Sequence, residues 1–189
     1  MRKKERKNNL HSSFKNPKKE KNQITIIAAI DAQRGIGNKN KLLFSLKRDI
    51  QRFKKITTGG IVIMGSKTYN SIPQKFRPLK NRINIVLSRK EDDHKYDNLI
   101  VVHSLEEAMK IAQSFHKKIW VIGGASIYTQ FLPFADNLEI TQIFTKREAD
   151  AYFPRYEENF KLQKKSKKYF DEREQVFYQF QKWVKKEKE

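Results

Sequence analysis

Asp49 is the only acid in the segment 45–56, where every other charge is positive. At about 100° per residue, Leu46, Ile50 and Phe53 share one stripe of a helix over this segment, while Lys47, Arg48, Gln51, Arg52, Lys54 and Lys55 face away. Asp49 falls about 60° from the centre of the apolar stripe, on the side where acids are uncommon. Two explanations fit. Asp49 is a boundary residue paired with Arg52 or another cation, or it is a carboxylate in an apolar pocket whose protonated form burial favours. A carboxylate of the second kind binds a planar amidine-like cation through two hydrogen bonds, or helps to deliver a proton.

Two glycine-bearing turns offer a different chemistry. Ile61–Met64 runs into Gly65-Ser66-Lys67-Thr68, and Ile119–Ile122 runs into Gly123-Gly124-Ala125-Ser126. In each, an apolar strand passes through glycine into a helix, which leaves N–H groups at the helix start for an anion. Neither turn is a Gly-x-Gly-x-x-Gly fingerprint or a phosphate loop ending in Gly-Lys-Ser/Thr. As a pair at the carboxyl ends of strands in one sheet, they suit a ligand with separated phosphates, such as a dinucleotide. Ser88-Arg89 follows the apolar run Ile83–Leu87 and adds a cation at the same edge.

The elements that must hold these residues alternate. Short apolar runs at Ile24–Ile30, Ile61–Met64, Ile83–Leu87, Leu99–Val102, Ile119–Ile122 and Leu138–Phe144 are separated by helical patterns at 45–56, 67–72, 104–116 and 125–132. Ser104, followed by Glu106 and Glu107, marks a helix start with acids in its first turn. Such alternation predicts a single α/β domain with helices on both faces of a central, mostly parallel, eight-stranded sheet. Residues 160–168 and 175–184 lack a helix between them and predict an antiparallel hairpin at the C-terminal edge.

Composition narrows the classes. The 189 residues suffice for one domain with a buried core. No apolar run approaches the roughly 18 residues that span a bilayer, which predicts a cytoplasmic protein. There is no cysteine, excluding disulfides and thiolate catalysis, and the four histidines, His11, His94, His103 and His116, show no metal-ligand spacing. The net charge is +20, with nine basic and two acidic residues in 1–23 and ten basic and five acidic in 161–189. Residues 1–23 predict a disordered basic arm, 24–184 the folded domain and 185–189 a charged tail. The basic balance keeps a nucleic-acid-binding protein as the alternative to an enzyme.

Taken in order, ITIIAAID (24–31), Gly35-Ile36-Gly37, Asp49, IVIMGSKTYNSIP (61–73), RPLKNRINIVLSR (77–89), IWVIGGASIYTQFL (119–132), LEITQI (138–143) and ADAYFP (149–154) form a set that resembles the dihydrofolate reductases across residues 24–184. The resemblance implies hydride transfer from NADPH to C6 of 7,8-dihydrofolate with protonation of N5, in one-carbon metabolism, by a monomer. It implies a catalytic set of Asp49, Thr141 and Phe44, in which Asp49 holds the pterin and Thr141 hydrogen-bonds that carboxylate. Ile27, Ala28, Ile50, Phe53, Ile72, Leu79 and Ile122 would wall the substrate pocket, and Arg82 would meet the α-carboxylate of the glutamate tail. Ala28 and Ile36 would also hold the nicotinamide carboxamide through backbone groups. The cofactor would lie along Ala29, Ile36 and Gly37, along Gly65, Ser66, Lys67 and Thr68, along Leu87, Ser88 and Arg89, and along Gly123, Gly124, Ala125, Ser126, Ile127 and Tyr128. Gly123-Gly124 would be a cis peptide, and Lys67 and Arg89 would favour NADPH over NADH.

The chain also departs from the family pattern. Leu42-Leu43-Phe44 stands where Leu-Pro-Trp is usual, which frees a φ angle and removes an indole N–H. Ser66 replaces a frequent basic residue and Ala151 a frequent small hydroxyl. A reductase of the same fold acting on a ribosylated aminopyrimidine is the nearer alternative; Asp49, Arg82 and Thr141 point to a pterin with a glutamate tail instead.

Overall fold

A computed structural model describes residues 22–90 and 96–187. His11, His94 and all but two residues of the basic arm lie outside the described residues.

Strand β1 (Ile24–Ile30) opens the domain, followed by the short strands β2 (Gly35–Asn38) and β3 (Lys41–Leu42) and helix α1 (Lys47–Thr57). Next come β4 (Ile61–Gly65), α2 (Ser66–Ser71), β5 (Ile83–Leu87), β6 (Leu99–Val102) and α3 (Leu105–Ser114). The chain continues through β7 (Ile119–Gly123), α4 (Ala125–Phe131), β8 (Asn137–Ile143) and β9 (Ala151–Tyr152). It closes with β10 (Phe160–Lys165), β11 (Tyr169–Asp171) and β12 (Val176–Lys185).

Eight strands lie side by side in the order β10-β12-β8-β1-β7-β4-β5-β6, and β11 pairs with the start of β12. From β8 to β6 every pairing is parallel. β12 runs antiparallel to β8, and β10 antiparallel to β12. This matches the predicted hairpin at the edge, with β12 reaching Lys185, one residue past the expected limit.

The central strands are buried on both faces because apolar, largely β-branched side chains project from each face. Alternation along β1 divides them: Ile24, Ile26, Ala28 and Ile30 enter one core cluster, and Ile27 enters another with Val62, Met64 and Trp120. The edge strand β10 is exposed beyond Phe160 and carries Lys161, Lys164 and Lys165, which discourage further pairing. Ser104 caps α3 as its spacing predicts, accepting a hydrogen bond from the Glu107 backbone N–H at 3.1 Å. The Glu107 carboxylate returns the favour to the His103 N–H at 2.9 Å.

Three local expectations change. The helix carrying Asp49 begins at Lys47, because Leu46 keeps an extended backbone (φ −74°, ψ 112°) as its N-cap. Gly35-Ile36-Gly37 belongs to a strand and not to a turn. It lies in β2, the middle of a small second sheet ordered β3-β2-β9. The segment 67–72 starts one residue early, so Ser66 opens α2. Among the described residues no helix is long and apolar enough to cross a membrane, and no cluster of His, Asp and Glu is placed to hold a metal ion.

Candidate active site

Asp49, in the first turn of α1, meets the buried strand β8. Thr141 on β8 is 1% exposed, and its hydroxyl donates to Asp49 Oδ1 at 2.6 Å. Burial pushes the Asp49 carboxyl above the ordinary value, while the Thr141 hydrogen bond and the nearby Arg52 cation pull it partly back. The pairing of Asp49 with Arg52 considered above is not formed. Arg52 makes its ion pair with Glu139 and stacks 4.8 Å from the Phe180 ring centroid. Asp49 is therefore held by a neutral hydroxyl and keeps further acceptor sites for a ligand.

Five of the seven apolar residues expected around it fall into one group, while Ala28 is buried in the first core cluster instead. Ile27 and Leu79 are buried in the second core cluster, with Phe53, Ile72 and Ile122 packed against it. Ile50 does not join them and is 47% exposed. Phe44, expected in the catalytic set, is buried in a third cluster with Leu46, Ile143, Val176 and Tyr178. Its ring offers no hydrogen-bonding group; the Arg147 guanidinium lies 4.0 Å from its centroid.

Arg82 sits beside the Phe53 ring and is only 8% exposed. Its Nη1 donates to Thr57 Oγ1 at 3.0 Å and its Nε to the Lys80 carbonyl at 3.1 Å; burial holds its pKa below the usual value. The guanidinium stands 5.7 Å from the Phe53 ring centroid, so the cation lies against one of the expected apolar walls. Two residues that the sequence reasoning missed fix this arrangement. Thr57 ends the basic helix on its buried side, and its hydroxyl also donates to the Phe53 carbonyl at 2.8 Å. Asn84, fully buried within an otherwise apolar strand, exchanges hydrogen bonds with the Leu79 backbone and donates to the Arg82 carbonyl. A single polar residue in INIVL was the signal available for it.

The two glycine turns are brought together by sheet order. β4 and β7 are neighbours with Met64 opposite Gly123, so both turns leave the same edge of the sheet. The Gly123–Gly124 peptide is cis, as the resemblance implies, and Gly123 has φ +122°, a conformation strained for any larger residue. A Cβ on Gly124 would stand 3.2 Å from Thr68 Oγ1, which shows how closely the turns approach. Neither α2 nor α4 has a side-chain cap, so their leading N–H groups face this edge without one. Tyr128 on α4 closes the space behind, donating to the Ile27 carbonyl at 2.8 Å. Burial, and then the charge of Asp49, push its phenol pKa up, which keeps it neutral.

Ser88 is half-buried and Arg89 exposed just after β5, which pairs with β4; Lys67 is exposed on α2. Ile36 and Leu87 pack against the first core cluster together with buried Ile127 and Tyr128. Of the residues expected around a cofactor, Ile36, Leu87, Ile127 and Tyr128 thus lie with the first core cluster, whereas Ile27, Phe53, Ile72, Leu79 and Ile122, expected around a substrate, lie with the second. A buried acid that the sequence left without a role, Asp31, orders the connection from β1 into β2. Its carboxylate accepts from the Gln33 and Gly35 backbone N–H groups, each at 2.7 Å, and from that of Arg147 at 3.1 Å.

The family model described as Dihydrofolate reductase matches residues 23–185, nearly all of the folded chain. The chain belongs to the dihydrofolate reductase family. A dihydrofolate reductase from Bacillus subtilis is 41% identical over 164 residues, covering 86% of this chain and 95% of that protein. One from Haemophilus influenzae is 40% identical over 131 residues, covering 69% and 78%. One from Sus scrofa is 34% identical over 155 residues, covering 74% and 83%. Family membership makes the protein an oxidoreductase that uses a nicotinamide cofactor.

Proposed function

We propose that the chain reduces 7,8-dihydrofolate to 5,6,7,8-tetrahydrofolate with NADPH, and that Asp49 anchors the pterin. The observation that carries this reading is the Asp49–Thr141 hydrogen bond in the first turn of a helix whose Phe53 ring lies beside Arg82. A carboxylate with one neutral donor has acceptor capacity for the 2-amino group and N3 of a pterin. Thr141 fixes its orientation and Arg52, bound to Glu139, supports it at longer range. Ile27, Phe53, Ile72, Leu79 and Ile122 exclude water around the ring, and Arg82 takes the α-carboxylate of the glutamate tail.

NADPH, when bound, supplies the hydride. The donor set suits such a group: uncapped N–H groups at two adjacent turns, and the Lys67 and Arg89 cations on the elements that follow β4 and β5. Two cations beside a nucleotide favour the form with an additional 2′-phosphate. Asp49 assists the protonation at N5, through its own carboxyl or a hydrogen-bonded water, and a nitrogen protonated there makes the adjacent carbon a better hydride acceptor. We place this activity in a cytoplasmic monomer.

The test is oxidation of NADPH by the purified chain with dihydrofolate, run beside the ribosylated aminopyrimidine. Turnover with dihydrofolate alone is expected. Turnover with the aminopyrimidine alone, or with neither, would overturn the reading. NADH in place of NADPH is expected to raise KM for the cofactor by roughly tenfold or more, given a lost charge-assisted contact.

A further inference from the structure

We propose that Arg147 and Glu174 form a clasp that positions the catalytic helix by gripping the backbone on both sides of Phe44. The proposal rests on the function assigned above. Arg147 Nη1 donates to the Leu43 carbonyl at 2.7 Å, and the Ser45 backbone N–H donates to Glu174 Oε1 at 2.9 Å. The same two side chains bind each other, Nη1 to Oε2, at 2.9 Å. The Arg147 guanidinium covers the intervening Phe44 ring.

The segment 43–45 needs such a device. It carries no proline to fix φ, and Leu46, the N-cap that follows, provides no side-chain cap for α1. Asp49 lies in the first turn of that helix, so an error in where α1 begins passes directly to the carboxylate. The clasp is itself anchored from behind. The Arg147 N–H donates to Asp31, and the Glu174 N–H donates to Asp171 Oδ1 at 2.9 Å. Leu43 packs so closely on β2 that a Cβ at Gly35 would stand 2.9 Å from its Cδ1. One ion pair therefore joins the loop after β1, the entry to α1, the segment after β8 and the β11–β12 turn.

An ordinary surface pair contributes little to stability, and the Arg147 side chain is 40% exposed. What distinguishes this pair is that each member also holds a main-chain group next to the reaction centre. The hydrogen bond from Ser45, and after it the Arg147 partner, hold the Glu174 carboxyl below the ordinary range.

Four variants separate positioning from simple stabilisation. Arg147→Ala and Glu174→Ala are each expected to lower kcat for dihydrofolate about tenfold, with KM for NADPH within about twofold of the parent. Glu174→Gln should recover most of the lost rate, because its amide oxygen still accepts from Ser45. The charge-reversed pair Arg147→Glu with Glu174→Arg keeps an ion pair but inverts both hydrogen bonds to the backbone, and should remain as slow as the alanine variants. Recovery of rate and melting temperature together in the reversed pair would reduce the clasp to a stabilising salt bridge and overturn the proposal. Amide exchange at Ser45 in the full chain supplies a readout that needs no turnover: fast in Glu174→Ala, protected in Glu174→Gln. Unchanged Ser45 exchange in Glu174→Ala overturns the clasp even if the parent proves inactive, whereas an inactive parent by itself overturns only the assigned function. Should Glu174→Ala fail to fold, Arg147→Ala decides by the same split between kcat and KM, and an unaltered kcat rejects the clasp.

Discussion

Asp31 and Asp49 stand at the two ends of the connection from β1 into α1, and their surroundings differ in one respect that matters. Asp31 is 1% exposed and receives three backbone N–H groups, so nearly all of its acceptor capacity is spent inside the protein. Asp49 receives one hydroxyl, from Thr141. A carboxylate offers about four acceptor positions, and the number filled internally separates a structural acid from a chemical one. Saturation makes Asp31 a knot that ties the start of β2 to the segment after β8. Burial raises the pKa of Asp49, and its single hydroxyl donor leaves it available to a ligand.

The largest effect that sharpens this contrast is expected from Asp49→Asn. Its kcat near neutral pH should fall by roughly 10²–10³-fold, measured as NADPH oxidation with saturating dihydrofolate. A variant as active as the parent breaks the assignment. Stability should move the other way. The folded pKa of Asp49 is raised, so its contribution is favourable below the unfolded value of 3.8 and is lost as pH rises through the folded value. At neutral pH the parent carries that cost and Asp49→Asn does not, so the variant should melt higher, by a margin that closes as pH falls toward 3.8. A margin that widens in acid would contradict the buried-carboxylate account.

Arg82→Ala comes next. Loss of a buried charge-assisted partner should raise KM for dihydrofolate roughly 10- to 100-fold, with KM for NADPH little changed. Equal effects on both constants would mean that the glutamate tail lies elsewhere. The smallest effect on chemistry is expected from Asp31→Asn, where an amide N–H is set against a ring of N–H donors. It should cost about 1–3 kcal/mol in thermal or denaturant unfolding, with a smaller loss of kcat than Asp49→Asn. A kcat loss exceeding that of Asp49→Asn would dissolve the distinction between the two acids.

Much of the fold was legible because it rests on local rules. The runs at Ile24–Ile30, Ile83–Leu87 and Leu99–Val102 become strands with those bounds. Ser104 caps α3 because a hydroxyl three residues before an acid closes a short-range hydrogen-bond pair. Glycines at 35 and 37 by themselves signal a bend, whereas the pairing with β9 that places Gly35-Ile36-Gly37 in the middle of a sheet comes from residues distant in the chain. Phe44 was assigned to chemistry by its position in a motif, and the structure packs it into a core cluster beneath a guanidinium.

By itself the sequence determined that strands and helices alternate, that two glycine turns leave apolar strands, and that one acid lies on the wrong side of a basic helix. Those are consequences of periodicity and backbone sterics, which act over a few residues. Only the tertiary structure decided that Asp49 takes its hydrogen bond from Thr141 while Arg52 turns to Glu139, and that Arg147 and Glu174 meet across Phe44. Each of those choices depends on which strands are neighbours and in what register. Long-range pairing sets both, and no local pattern encodes it.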